Sequence, residues 1–348
     1  MLASDLDFSL PPELIAQAPL AKRPASRLLH YRRADRSIAH RRFAELPALL
    51  RAGDLLVMND TRVLPARLAL RKATGGRFEG LFVAERRVGE WEVMLKNVGP
   101  IGPASRYELT AGDAPPLSAA IVENLGAGRF VLAVESDRPA ADVLATYGRM
   151  PLPPYIRREK GSDERDADDR ERYQTVYAAA PGSVAAPTAG LHFDADLLRL
   201  LEKRGFATTT VTLDVGLGTF KPVEADDLAD HTMHVERYTI GPAAAAAINA
   251  AKADGRRVIA VGTTSARVLE SQPPGDVAAK SGETGIFIYP PYDWRHVDAL
   301  VTNFHLPRST LIALVAAFVG LEEQRRIYAE AIAQRYRFFS YGDSSFLE

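Results

Sequence analysis

The sequence predicts a mixed α/β protein: an α/β domain formed by both chain ends, with a small antiparallel β-barrel domain inserted into it. Three observations carry this prediction. Between about Pro65 and Val143, turn signals at Gly75-Gly76, Gly99-Pro100, Ala111–Pro116 and Gly126-Ala-Gly128 separate short strand-like runs, as in a small barrel or sandwich. After Gly182, helical patterns alternate with short β-branched or apolar runs, the mark of a mostly parallel sheet covered by helices. The strand-like run Asp54 to Met58 precedes the β segment but has flanks resembling the later half. The expected domains are therefore 1–64 with 144–348, and 65–143.

In the inserted segment the expected strands are Phe78 to Arg86, Trp91 to Lys96, Ala119 to Leu125 and Phe130 to Val134. In the second half a helix from Ala195 to Arg204 has Asp194 as N-cap and Gly205 as its stop. A strand Thr208 to Val215 follows, then an alanine-rich helix Pro242 to Asp254, a strand Arg257 to Val261 and a helix Ala266 to Ser271. Strands Gly285 to Tyr289 and Ala299 to Thr302 come next, and helices Ser309 to Gly320 and Glu322 to Tyr336 complete the domain. No internal repeat is visible.

Composition excludes whole classes of chemistry. The 348 residues contain no cysteine, which rules out disulfides, thiolate metal sites, iron–sulfur clusters and cysteine nucleophiles. The longest apolar run, Leu311 to Val319, is too short to span a bilayer, and Met1 to Asp7 lacks the basic and apolar regions of a secretory signal, so a cytoplasmic location is expected. A net charge of −1 argues against a protein that coats nucleic acid over its whole surface. Basic residues still cluster at Arg32 to Arg42 and at Arg157 to Arg172, where solvated surface is the plain reading and a local RNA contact the sharper one.

In open α/β sheets ligands bind beyond the carboxyl ends of the strands. Four such ends are polar here: Asn59-Asp-Thr-Arg62, Gly216-Leu-Gly-Thr-Phe220, Gly262-Thr-Thr-Ser265 and Asn303-Phe-His-Leu-Pro307. Thr263, Thr264 and Ser265 stand directly before a predicted helix, where N–H groups and hydroxyls either cap the helix or hold an anion. Gly216-x-Gly218 lacks the third glycine of a dinucleotide fingerprint, and no phosphate-loop motif is present. His231-x-x-His234-x-Glu236 could suggest a metal, but the alternation from Met233 to Ile240 reads as a strand that sends His234 and Glu236 to one face without His231. No metal is assigned. Ser183 to Phe193, with Thr188 and His192, is a small-residue loop that either lets a planar ligand approach the backbone or simply packs as a tight turn.

Taken together, these segments resemble the tRNA ribosyltransferase-isomerase family of queuosine biosynthesis. The resemblance runs the length of the chain. It is carried by Leu10–Gln17, Arg23 with Ser26–Leu29, Gly53–Val63, Gly148–Ile156, Arg172–Tyr177, Gly182–Phe193, His231-x-x-His234-x-Glu236, Gly262–Ser265 and Thr302–Pro307. Two places depart from the family pattern: Asp214 stands where the family has histidine, and Ser344-Ser-Phe346 is less aliphatic than usual. The first departure removes the ground for giving Asp214 an essential proton-transfer role.

The resemblance implies an α/β domain with an inserted barrel and a specific reaction. The ribosyl part of S-adenosylmethionine moves to 7-aminomethyl-7-deazaguanine (preQ1) at the tRNA wobble position, giving epoxyqueuosine-tRNA with release of adenine and methionine. S-adenosylmethionine is then a consumed co-substrate and no cofactor is expected; tRNA is the partner, and a monomer is expected. Such a reaction needs a base for the C5′ proton, for which His192 or Glu236 stand first and His234 and His305 next. It needs a carboxylate near the acceptor amine, Asp60 or Asp343, and a donor toward the departing adenine, Asn303 or a histidine. Arg62 or the Thr263 to Ser265 loop would bind an anionic group, Thr188 is a further substrate-binding candidate, and Tyr155, Arg157, Arg158 and Tyr173 are candidates to hold the splayed wobble nucleoside. Two other classes compete. A non-catalytic RNA-binding protein leaves the polar strand ends unexplained, and a methyltransferase would show a Gly-rich loop after its first strand.

Overall fold

The computed structural model describes residues 1–99, 105–158, 165–216, 223 and 225–348. The chain forms two compact units, one of Met1–Arg62, Pro153–Arg158 and Gln174–Glu348, the other built from Val63–Leu152 and, among its further described residues, 165–173. The architecture is the mixed α/β fold with an antiparallel barrel that the sequence predicts. The barrel unit extends beyond the expected 65–143, because the Ala140–Tyr147 helix runs into the short strand Gly148–Arg149, which pairs with Leu68 and Arg67.

The larger unit is built on a nine-stranded sheet. Its spatial order is Lys280–Thr284, Glu236–Ile240, Ala207–Leu213, Leu55–Asn59, Val258–Val261, Ala299–Asn303, Ser344–Leu347, Arg27–Arg32 and Ser37–Arg42. The four strands from Ala207 to Asn303 in that order are mutually parallel. Three of them, Leu55–Asn59, Val258–Val261 and Ala299–Asn303, are buried throughout because both faces are covered, whereas Ala207–Leu213 is threonine-rich and buried only toward its carboxyl end. Leu55, Val57, Val258 and Ala260 face a core that includes Ile248 and Ala266, while Leu56, Met58, Ile259 and Val261 face another that includes Phe193 and Leu197. Successive side chains thus feed opposite cores, and polar groups are left to the strand ends. Among the described residues no helix is long and apolar enough to cross a membrane.

In the other unit, six antiparallel strands close into a barrel: Arg67–Lys72, Arg77–Arg87, Glu90–Leu95, Arg129–Val134, Leu117–Gly126 and Arg106–Leu109, the last pairing back to the first. Trp91, Val93 and Leu95 alternate into the interior, and Trp91 meets Phe82 edge-on at 5.4 Å.

The structure corrects several elements. The strand expected at Gly285 to Tyr289 lies instead at Lys280–Thr284, and its ladder ends where its partner begins, with Thr284 opposite Glu236. Ile286, Phe287 and Tyr289 supply apolar packing without strand pairing. That partner strand begins at Glu236 and not at Met233, so His234 lies outside it. The helix expected at Ala266 begins at Thr263. Strands at Arg27–Arg32, Ser37–Arg42, Ser344–Leu347, Arg67–Lys72 and Arg106–Leu109 were not expected. Residues 217–220 of the glycine-containing strand-end loop lie outside the described residues.

Gly148 is fixed by backbone contact rather than conformational freedom. A Cβ there would lie 1.7 Å from the Pro65 carbonyl oxygen and 2.7 Å from that of Leu144. Because neither backbone atom can rotate away, Gly148→Ala is expected to destabilise the barrel unit by about 3 kcal/mol or more. Urea unfolding followed by tryptophan fluorescence checks this, since Trp91 is at the barrel centre; an unchanged midpoint would refute the contact.

Candidate functional site

The site lies at the carboxyl ends of the parallel strands in the larger unit. Asn303 ends one strand, Gly262 follows another, and the turn Thr188–His192 lies against them. Two adjoining cavities share Thr188, Asn303, His305 and Leu311 as lining. One is also lined by Gly262, Thr263 and Thr264, the other by Tyr155, Phe339 and Ser340.

His192 is the hub. Its Nδ1 is 2.8 Å from Ser26 Oγ and its Nε2 is 3.2 Å from the side-chain nitrogen of Asn303. Ser26 donates its hydroxyl hydrogen to the Arg23 carbonyl at 3.3 Å, so it accepts from Nδ1–H. Asn303 also faces the Phe339 carbonyl at 3.2 Å, which requires its NH2 on that side. Nε2 therefore carries the lone pair. The ring stacks on Phe43 at 4.9 Å and is 4% exposed. Burial first, then the Arg337 and Arg23 charges, push its pKa down to about 3, so the imidazole is neutral near pH 7.

His305 is also buried, and burial lowers its pKa to about 3. Its Nε2 is 2.8 Å from Thr302 Oγ1, and its backbone N–H donates to Tyr328 Oη at 3.0 Å. Asn303 Oδ1 and Thr264 Oγ1 are buried without a hydrogen-bond partner among the described residues, and both residues line the cavities. The helix Thr263–Glu270 has no side-chain cap, and Gly262, at φ 91°, turns the chain so that the first-turn N–H groups point beyond the strand end. Tyr155 lines the neighbouring cavity with its ring tilted on Phe339 at 4.7 Å and its hydroxyl 2.6 Å from Ser340 Oγ.

Other expected site residues are committed elsewhere. Glu236 pairs with Arg267 inside the protein and accepts the Gly216 N–H at 3.0 Å, so both oxygens are engaged. Ser265 donates to the Val261 carbonyl at 2.9 Å, within its own helix start. Asp60 accepts from Thr212 Oγ1 at 2.7 Å, and Arg62 is exposed with its guanidinium on the Ala178 carbonyl. Asp343 accepts backbone N–H groups of Arg27 and Arg337, both at 2.8 Å, which is a structural role. His234 is exposed and outside the cleft, and His231 packs edge-on to Phe287, so the two histidines do not converge. Arg157 donates its N–H to the Gln17 side chain and Arg158 its guanidinium to the Gln17 carbonyl. Tyr173 belongs to the barrel unit and is fully buried, which removes it as a stacking platform. Asp214 is 3.4 Å from Arg237, and burial raises its pKa. Ser26, Tyr177 and Arg337 were not singled out as site residues. Ser26 and Tyr177 lie within segments that carry the family resemblance, whereas no local pattern marks Arg337.

Comparison with known proteins follows from this geometry. The sequence profile of queuosine biosynthesis proteins matches residues 3–347. The chain is 52% identical to the S-adenosylmethionine:tRNA ribosyltransferase-isomerase of Thiobacillus denitrificans over 100% of this chain and 98% of that one. It is 53% identical to the same-named protein of an Azoarcus species, over 99% and 96% respectively. A crystal structure of S-adenosylmethionine tRNA ribosyltransferase from Thermotoga maritima is similar at a TM-score of 0.56 and 31% identity, over 99% of this chain and 100% of that one.

The two buried histidines predict an acid-sensitive fold. Their folded pKa values, about 3, lie below the ordinary 6.5, so the unfolded chain binds more protons between those limits and stability falls as pH falls through that window. Each contributes a slope approaching about 1.4 kcal/mol per pH unit. Urea unfolding at several pH values should show the slope, and His192→Asn with His305→Gln should flatten it; an equal slope in the double variant would refute the assignment.

Proposed function

Because the chain belongs to the queuosine biosynthesis protein family, we propose that it transfers and isomerises the ribosyl part of S-adenosylmethionine onto 7-aminomethyl-7-deazaguanine at the tRNA wobble position, forming epoxyqueuosine-tRNA. It is a transferase and isomerase. The observation that carries the reading to particular residues is the pair of unspent polar atoms in the cleft, Asn303 Oδ1 and Thr264 Oγ1, beside an uncapped helix start. A buried polar atom without a partner costs free energy that a ligand would recover.

In this reading S-adenosylmethionine is consumed and no cofactor is needed. C–N, C–C and C–O bonds form, joining the unit to the aminomethyl nitrogen and closing its carbocycle and epoxide, while the bonds to the sulfonium sulfur and to adenine and the furanose C–O bond break. Methionine leaves, and of the two protons lost from C5′ and the amine one goes to adenine and one to solvent. The amino-acid carboxylate of the donor binds the N–H groups of Thr263 and Thr264 and the Thr264 hydroxyl. Thr188 lines the same cavity. Asn303 Oδ1 accepts from an N–H of the substrate, and Asn303 is itself held by His192 and the Phe339 carbonyl. His192, with both nitrogens engaged, orients this amide. His305 takes the C5′ proton, since Thr302 occupies only its Nε2. Tyr155 and the side chain of Arg157, whose backbone N–H alone is held by Gln17, contact the RNA.

The test is to incubate the protein with S-adenosylmethionine and tRNA carrying the aminomethyl-deazaguanine and analyse products by mass spectrometry. Free adenine and methionine with a ribosyl-derived adduct on the tRNA are expected. S-adenosylhomocysteine would mean methyl transfer, and absence of product would mean binding without chemistry. Thr264→Val is expected to raise KM for S-adenosylmethionine about tenfold with little change in kcat, the signature of a lost binding contact. His305→Asn should lower kcat by about a hundredfold or more; wild-type turnover in that variant removes His305 from the chemistry.

A further inference from the structure

Around the turn Thr188–His192, a second set of polar groups is unspent and has no role in the reading above. Gly190 leaves room that no other residue could: a Cβ there would lie 2.0 Å from Tyr177 Oη and 2.8 Å from Thr175 Cγ2. Tyr177 Oη and Thr175 Oγ1 are buried and have no hydrogen-bond partner among the described residues. Arg337 is similar. Its Nη2 donates to the Ala18 carbonyl, while its Nη1 is buried and unpartnered among the described residues. Arg23 donates from Nη1 to the Leu191 carbonyl at 3.1 Å, within the same turn.

Hydrogen bonds tie these groups to one locality: the Asp343 carboxylate accepts the N–H of Arg337 and that of Arg27, which follows the Ser26 that meets His192, while Tyr177 and Arg23 lie against Gly190 and Leu191 of the same turn. The charges of both Arg337 and Arg23 disfavour the protonated form of His192, and Arg23 also acts on the Tyr177 phenol, opposing the effect of Asp60. Both charges therefore act on an imidazole that burial already keeps neutral. Asp343 lies near Arg337, but its oxygens accept backbone N–H groups. A guanidinium donor left unpaired away from water costs free energy, and a phenol and a hydroxyl in the same state add to the cost. Each of these donors is of a kind that an oxyanion accepts from, and arginine is the side chain best shaped to hold one.

We propose that Arg337, Arg23 and Tyr177 form an oxyanion-binding subsite beside His192, distinct from the helix start at Thr263 and Thr264. Its ligand is a singly charged oxyanion of a substrate, an RNA phosphodiester where the donor carboxylate sits at the helix start, or that carboxylate itself in place of the helix-start assignment; naming these sources rests on the proposed function, while the subsite itself rests on Arg337 Nη1, Tyr177 Oη and Thr175 Oγ1.

Two measurements separate these levels. The first is thermal unfolding of the full chain in inorganic sulfate against chloride at matched ionic strength. Sulfate should stabilise the wild type, and Arg337→Met should lose that increment, because only a ligand bound to the folded state raises its stability. The second is binding by the same proteins of S-adenosylmethionine alone, by calorimetry, and of the tRNA, by fluorescence anisotropy across a salt series. Weakening of RNA binding by about tenfold, with the salt slope reduced by roughly one, identifies a phosphodiester. Weakening confined to S-adenosylmethionine identifies the carboxylate. Arg337→Lys should restore part of the affinity and Tyr177→Phe should lower it, and these two variants carry the test if Arg337→Met does not fold. The proposal is overturned if sulfate stabilises wild type and variants equally and both affinities stay within about twofold of wild type. A wild type that responds to sulfate through Arg337 but forms no product would leave the subsite standing and remove the proposed reaction.

Discussion

A neutral imidazole at position 192 closes a bridge between stretches of chain that are far apart in sequence. Ser26 is 166 residues away and Asn303 is 111. Only the neutral ring can donate at one nitrogen and accept at the other. Protonation would set a second N–H against the Asn303 NH2 group, so the bridge and the low proton affinity are two expressions of one arrangement. Ser26 stands just before the Arg27–Arg32 strand and Asn303 ends the Ala299–Asn303 strand. The ring therefore registers the N-terminal strand pair, the turn Thr188–His192 and a parallel strand end against one another. The cleft wall depends on that registration, because Thr188, Ala189 and Asn303 all line it.

The sheet explains why the chemistry gathers where it does. With both faces of the three central parallel strands buried, an unpaired polar side chain is tolerable there only at strand ends, where backbone groups already need partners. The four polar strand ends are not equivalent, however. Asn59 spends its side chain on Leu213 O, Leu213 N and Thr61 N, at 3.2, 3.1 and 3.1 Å, and thereby stitches two neighbouring strands together. Ser265 spends its hydroxyl on its own helix start. Thr264 and Asn303 each keep one buried atom unspent. Residue type and position are alike in these cases, and only the hydrogen-bond inventory separates scaffold from site.

That distinction marks the limit of what could be read from the sequence. The alternation of helices and apolar runs after Gly182, and the turn-separated strands of the barrel, follow local periodicity and were legible. The strands Ser37–Arg42 and Ser344–Leu347 were not. The first is a polar sheet edge; the second is a short run whose burial depends on lying between Ala299–Asn303 and Arg27–Arg32. His192, Asn303 and His305 could be singled out because polar residues at strand ends and in a small-residue loop invite notice. Glu236 could be singled out for the same reason, yet its fate was set by Arg267, which is 31 residues away and buried on a helix face. Asp343 looked like an available carboxylate until two backbone N–H groups, one of them 316 residues distant, were found to occupy it. Partners at such separations leave no trace in a local pattern.

The arginines carry the same argument from the charged side. At the amino ends of the central strands, Arg257 forks to Asp54 at 2.6 Å and to Glu348, so its charge is matched by carboxylates that the fold itself supplies. Arg267 is matched by Glu236 in the interior. A buried pair of this kind contributes little net stability, but removing one partner is severely destabilising, so such arginines behave as architecture. Arg337 differs: its guanidinium meets a backbone carbonyl at one nitrogen and, among the described residues, no acceptor at another, and its charge opposes the protonated form of His192. If that cation served only the fold, a carboxylate in place of the Ala18 carbonyl would serve it better. Its persistence without one is intelligible when the missing negative charge arrives with the substrate, and the neutral His192 then becomes the group that keeps the locality free of a third positive charge until it does.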